Sequence, residues 1–308
     1  MEFVNLQQRV IELVQGGKNN EALSLIEEAK QQFPHKLDRL GHWKANLYTL
    51  EGKKEKAMAE LEEVLENGLW WNPEILTSDP ELEGIKGMPE FTAVIDRCQS
   101  IFEQEQQITE MKWKTSGDPD NQKVIFPLHW KGSNMEDFAQ QWSEEEILAD
   151  YFLGIPQSSQ IFSYNCYAWD DREVAVSDVL HAFRAFEQKY DIKGKEVILA
   201  GASQGGHLAA LMSLRGDVEE FNEFIAVVPA FEADEIKEII ETNPNPKARG
   251  CIITGDRDPF YKQALETADL LKSHNIPCEL MMKEGMGHEL PEDFPGVLKE
   301  ASAFVTTK

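Results

Sequence analysis

One stretch restricts the fold more than any other. Val197-Ile198-Leu199-Ala200 runs without a break into Gly201-Ala202-Ser203-Gln204-Gly205-Gly206, and then into His207-Leu208-Ala209-Ala210-Leu211-Met212. The first four residues read as a strand buried on both faces, and the last six as the start of a helix. A buried strand that turns at once into a helix is the building unit of a parallel sheet covered by helices. The two glycines stand two residues before and two residues after Ser203. A Cβ at either place is expected to collide with the neighbouring helix or strand. The turn must therefore be sharp, and it pushes the Ser203 hydroxyl away from the sheet.

The unit recurs over the second part of the chain. Strands are expected at 123–128, 151–155, 196–200, 224–228, 251–254 and 278–282. Helices are expected near 172–190, 204–215, 232–242, 260–274 and 292–306. This alternation gives a mostly parallel α/β sheet with helices on both faces. The polar, turn-rich segment Thr115-Ser116-Gly117-Asp118-Pro119-Asp120-Asn121 marks a boundary. We expect an all-α domain over 1–115 and an α/β domain over 116–308.

The first part contains a repeat. Gly17-Lys18-Asn19-Asn20-Glu21-Ala22 and Gly52-Lys53-Lys54-Glu55-Lys56-Ala57 each open a helical block, and the offset is 52 − 17 = 35 residues. Leu13 and Tyr48 fall at matching places, and Pro34 ends the first block. A helix–turn–helix repeat of this length resembles the tetratricopeptide family, although the usual Trp-Leu-Gly signature is absent. The resemblance implies a surface for a protein partner.

Composition excludes several classes. The 308 residues carry 30 Lys and Arg against 55 Asp and Glu, a net charge of −25. Nucleic-acid binders need clustered cations, so that class is set aside. The acidic balance favours a substrate that is neutral or cationic near the reacting bond. Four scattered Cys (Cys98, Cys166, Cys251 and Cys278) form no C-x-x-C pair, so neither a disulfide framework nor a metal site is expected. Met1-Glu2-Phe3-Val4-Asn5 lacks the basic and apolar regions of a signal peptide, and no apolar run is long enough to span a membrane. A cytoplasmic location is the expectation.

Gly201-Ala202-Ser203-Gln204-Gly205 is G-x-S-x-G, which by chance turns up in about one chain in ten of this length. The strand before it and the helix after it make it a nucleophile elbow. A dinucleotide fingerprint needs a different glycine spacing, and a phosphate loop needs Gly-Lys-Ser/Thr. A serine nucleophile needs a base, and the base needs an orienting carboxylate. The expected strand at 251–254 ends in Gly255-Asp256-Arg257-Asp258, and the one at 278–282 leads to Gly285-Met286-Gly287-His288. His288 is the base candidate. Asp256 and Asp258 compete for the carboxylate.

These motifs together resemble the α/β-hydrolase superfamily over about residues 122–306. Its late acid follows a G-x-x-D pattern, which Gly255 and Asp258 match. Leu128-His129-Trp130-Lys131-Gly132 is similar to the L-H-G-x-G element of the phospholipase/carboxylesterase and acyl-protein thioesterase group, with Trp130 where that group has Gly. The resemblance implies an oxyanion site made by the backbone N–H groups of Gln204 and Lys131, with His129 supporting the loop. It also implies that Trp130, Trp169 and Asp170 line the acyl pocket. A serine hydrolase of small-molecule acyl esters or thioesters follows, using neither cofactor nor metal. Two alternatives stay open: a serine peptidase, or an interaction module with a vestigial hydrolase. Only one helix is expected between the 224–228 and 251–254 strands, which leaves little room for a lid. The helical domain is then the expected cover.

Overall fold

The computed structural model describes residues 3–243 and 246–307, with the backbone alone at position 4. Met1 and Glu2, which open the N-terminal stretch read above, lie outside the described residues. The chain divides into two compact units, 1–108 and 109–308. The break falls seven residues before the expected 115, because Lys112–Ser116 is a strand of the second unit.

The first unit is helical: α1 Phe3–Gln15, α2 Asn19–Gln32, α3 Leu37–Leu50, α4 Lys54–Glu66, α5 Pro73–Ser78 and α6 Pro89–Ile108. The repeat offset appears in the helix starts, since α4 begins 54 − 19 = 35 residues after α2. Gly17 and Gly52 turn each hairpin at φ +70° and +73°, a region glycine enters without steric cost. Ala22 and Ala57 are fully buried where the helices approach. A Cβ on Gly41 would come within 2.4 Å of Val64 Cγ2, which shows how closely α3 and α4 pack. Beyond the hairpins, Arg97 of α6 donates to the Leu65 carbonyl and Trp71 Nε1 to that of Asp38. The two hairpins thus lean on the segment that follows them.

The second unit holds the sheet. In chain order it runs β1 Lys112–Ser116, β2 Lys123–Leu128, α7 Met135–Trp142, α8 Glu145–Asp150, β3 Tyr151–Gln157, β4 Ile161–Ser163, β5 Cys166–Tyr167 and α9 Arg172–Lys189. It continues with β6 Glu196–Ala202, α10 Gln204–Arg215, β7 Glu223–Val227, α11 Ala233–Thr242, β8 Arg249–Gly255, α12 Tyr261–Ser273, β9 Cys278–Lys283 and α13 Phe294–Val305. The sheet order is β1-β3-β2-β6-β7-β8-β9, and β4 pairs with β5 in a separate hairpin. All sheet neighbours are parallel except β1, which runs antiparallel to β3. Two apolar cores cover the two faces. Phe126, Phe183, Phe186 and Leu208 belong to one, and Phe138, Trp142, Ile198 and Phe294 to the other. The parallel strands end at one edge, and the loops after β2, β6, β8 and β9 gather there, where open α/β sheets place their ligands.

Candidate active site

Ser203 sits between β6 and α10 at φ +54°, ψ −118°. L side chains rarely adopt this conformation, and at functional turns it stores strain. The glycines explain how the turn fits. A Cβ on Gly201 would lie 2.4 Å from the Gly205 carbonyl carbon, and one on Gly205 would lie 2.3 Å from the Leu128 oxygen. Backbone occupies both places, so neither collision can be relieved cheaply. Two backbone hydrogen bonds fasten the turn to the end of β7 and the loop after it: Ser203 N–H to the Val227 oxygen (2.9 Å) and Ala230 N–H to the Ser203 oxygen (3.1 Å). Val228, between those anchors, is itself held at φ +39°.

The loops after β8 and β9 meet Ser203. His288 Nε2 lies 2.8 Å from Ser203 Oγ, and His288 Nδ1 lies 3.0 Å from Asp258 Oδ2. The Asp258 side chain is fully buried, and its other oxygen accepts the Phe260 N–H at 2.7 Å. With Nδ1–H donating to the carboxylate, Nε2 faces the hydroxyl as an acceptor. Asp256 does something else. Its carboxylate accepts the Gly285 N–H at 2.6 Å, tying the two loops together. The Phe260 and Trp130 rings lie 5.4 and 6.1 Å from the imidazole, centroid to centroid.

His129 is fully buried. Its Nδ1 lies 2.8 Å from the Trp130 oxygen, and its Nε2 accepts the Ser158 N–H at 3.2 Å. Burial pulls its pKa down to about 4, so the ring is neutral near pH 7 and donates from Nδ1. The carbonyl it holds belongs to the peptide whose N–H is that of Lys131. Because the peptide is planar and trans, fixing one end fixes the direction of the other.

The remaining expected residues separate. Trp130 is half-buried beside His288, and its Nε1 donates to Gln141. Trp169, expected in the pocket, is fully buried in the core instead. Its ring lies 4.6 Å from that of His129, and its Nε1 donates to the His129 oxygen. Asp170 is about half exposed, and it is Asp171 that caps α9, accepting the N–H groups of Glu173 and Val174. Asp170 instead binds Lys131 Nζ at 2.7 and 2.9 Å and Gln204 Nε2 at 2.7 Å. Sequence reasoning missed the Asp256–Gly285 tie and the place of Phe260, which no local pattern encodes. It also missed the Asp171 cap, for which an Asp immediately before the helix was signal enough.

Residues 2–106 match the family model described as the A/B hydrolase-like, N-terminal domain. The family model that matches this region is not a tetratricopeptide one, so that resemblance rests on the 35-residue repeat of the sequence. No curated protein matches the sequence. An uncharacterized protein from Bacillus cereus ATCC 10987 is similar in structure over 99% of both chains, with TM-score 0.54 and 25% identity. A ferulic acid esterase is similar over 64% of this chain and 98% of its own, with TM-score 0.51 and 14% identity.

The second unit has the α/β-hydrolase fold.

The N-terminal domain match falls within the first unit. Among the described residues no helix is long and apolar enough to cross a membrane, and no group of His, Cys, Asp or Glu is arranged to hold a metal ion.

Proposed function

We propose that the protein is a serine hydrolase that cleaves carboxylic esters or thioesters through an acyl-enzyme on Ser203. The observation that carries this reading is the continuous line Ser203 Oγ, His288 Nε2, His288 Nδ1, Asp258 Oδ2, with spacings of 2.8 and 3.0 Å across the ring. His288 takes the Ser203 proton as Oγ attacks the carbonyl carbon. The carbonyl oxygen becomes an oxyanion, received by the N–H groups of Gln204 and Lys131. Gln204 opens α10, where unpaired N–H groups and the positive end of the helix dipole favour negative charge. His288 then gives its proton to the departing alkoxide or thiolate. Water, activated by the same imidazole, attacks the acyl carbon and releases the acid and free Ser203. Asp258 holds the tautomer throughout and stabilises the imidazolium.

A fluorophosphonate probe tests the reading directly. Wild-type protein should be labelled, and Ser203→Ala should not. Labelling that survives in Ser203→Ala would remove Ser203 from the role. A panel of p-nitrophenyl esters and thioesters graded by acyl length would then define the substrate, with small peptides as the arm for a peptidase.

A further inference from the structure

The two expected oxyanion donors come from different loops. Gln204 follows the β6 turn, and Lys131 lies three residues past the end of β2. β2 and β6 are neighbours, but their ladder ends at Leu128 and Gly201. Beyond it, something other than the sheet must set the distance between the two N–H groups.

Segment 167–170 supplies the connection. On the β2 side, Gly132 N–H donates to the Tyr167 oxygen (2.8 Å) and Tyr167 N–H to the Ser133 oxygen (2.7 Å). On the β6 side, Trp169 N–H donates to Gln204 Oε1 at 2.8 Å. That contact orients the amide, because an oxygen must face the N–H and the NH₂ must then face the other way. The NH₂ meets Asp170 Oδ1 at 2.7 Å. The same Oδ1 accepts Lys131 Nζ at 2.7 Å, and Oδ2 accepts it at 2.9 Å. One carboxylate therefore grips both residues whose backbones face the developing charge. Arg172 Nη1 donates to the Trp169 oxygen at 3.2 Å and holds the segment from behind.

We propose that Asp170 is a positioning residue of the oxyanion site, fixing the separation of the Lys131 and Gln204 backbone N–H groups by binding both side chains. The proposal rests on the acyl-enzyme reading above. Asp170 touches no reacting atom. Its effect runs through geometry that matters only when the oxyanion forms, so it belongs in kcat rather than in KM. Its contribution to folding is small, because a half-exposed ion pair adds little to stability.

The test uses the full chain and p-nitrophenyl butyrate. Asp170→Ala should lower kcat by roughly tenfold to a hundredfold, since loosening a donor costs part of what deleting it costs. KM should stay within about twofold and the melting temperature close to wild type. Lys131→Met should show the same kcat loss, and Lys131→Arg, which keeps a cation for Asp170, a smaller one. The double variant Asp170→Ala/Lys131→Met should be no worse than the more impaired single variant, because both remove one link. If Asp170→Ala does not fold, the isosteric Asp170→Asn provides the same readouts. An unchanged kcat overturns the proposal, as does a raised KM with kcat intact or full additivity in the double variant. Ser203→Ala separates the two levels. If Ser203→Ala is inactive and Asp170→Ala is fully active, only the positioning role falls. If Ser203→Ala still turns over, the acyl-enzyme reading falls first.

Discussion

Asp256 Oδ1 accepts the Gly285 N–H at 2.6 Å, so the loop that carries Asp258 is tied directly to the loop that carries His288. Two acids two residues apart thus serve one histidine in different ways. Asp258 binds its ring, and Asp256 holds the start of its loop.

Substitution should separate those two tasks. Asp258→Asn turns a carboxylate that fixes the imidazole tautomer into an amide that can present N–H to it, and kcat should fall on the order of 10⁴-fold. Asp256→Asn keeps an oxygen for Gly285 and should cost less than about threefold, whereas Asp256→Ala removes the acceptor and should cost several-fold more than Asn. Steady-state ester hydrolysis reads all three. Equal losses in Asp256→Asn and Asp258→Asn would refute the division.

The elbow should reveal its strain in stability. Ser203→Gly and Ser203→Ala both delete the hydroxyl, but only glycine is at ease at φ +54°. The relief of about 1–3 kcal/mol exceeds the extra unfolded-state entropy of glycine, roughly 0.5–1 kcal/mol. Ser203→Gly should therefore be about 1 kcal/mol more stable than Ser203→Ala in urea unfolding. An alanine variant as stable as the glycine variant would show that the turn carries no strain.

Gly205→Ala should act in the opposite direction. Its Cβ would meet the Leu128 oxygen at 2.3 Å and the His129 oxygen at 2.6 Å. Main chain must move to make room, at a cost of about 2 kcal/mol or more. The Lys131 loop should move with it, so ester turnover should fall as stability does. A fully stable and active Gly205→Ala would mean that the two backbones do not lie this close.

Acid should expose His129. Its folded pKa is lowered to about 4 by burial, below the ordinary value of 6.5. Between those values the unfolded chain binds the proton and the folded chain does not, so unfolding takes up protons and stability rises with pH. The contribution is complete above about pH 6.5 and declines as the pH falls toward 4. The total is roughly 3 kcal/mol at 1.36 kcal/mol per pKa unit. Urea unfolding from pH 7 to 4 should show this slope, and His129→Gln should flatten it. An identical slope in the variant would assign the acid sensitivity to other groups.

The sequence made the inner strands of the sheet legible because they are buried on both faces and read as continuous apolar runs. β2 lies at 123–128 as expected, and α10 at 204–215. The structure brings Ser203, Asp258 and His288 together because each follows a strand of that sheet. What escaped had no such signature. β1, Lys-Trp-Lys-Thr-Ser, is a polar edge strand and resembles a linker. α7 and α8 are one to two turns long, too short for periodicity, although Asn134 accepting the Asp137 N–H marks the start of α7. Trp169 looks like a pocket wall in sequence, because sequence shows that a Trp stands near the site and not which way its ring faces. The Asp170 contacts join residues 39 and 34 positions apart, a separation over which no spacing rule reaches.

The antiparallel strand β1 bears on how this protein can be cut. All five of its residues pair with Leu153–Gln157 of β3, and β3 is buried along its whole length, Tyr-Phe-Leu-Gly-Ile-Pro-Gln. A chain begun at 116, where composition suggests a clean start, would bare that apolar edge as a template for a second molecule. A chain begun at 109 keeps the edge covered. Residues 109–115 therefore decide whether a truncated second unit stays in solution or stacks strand upon strand.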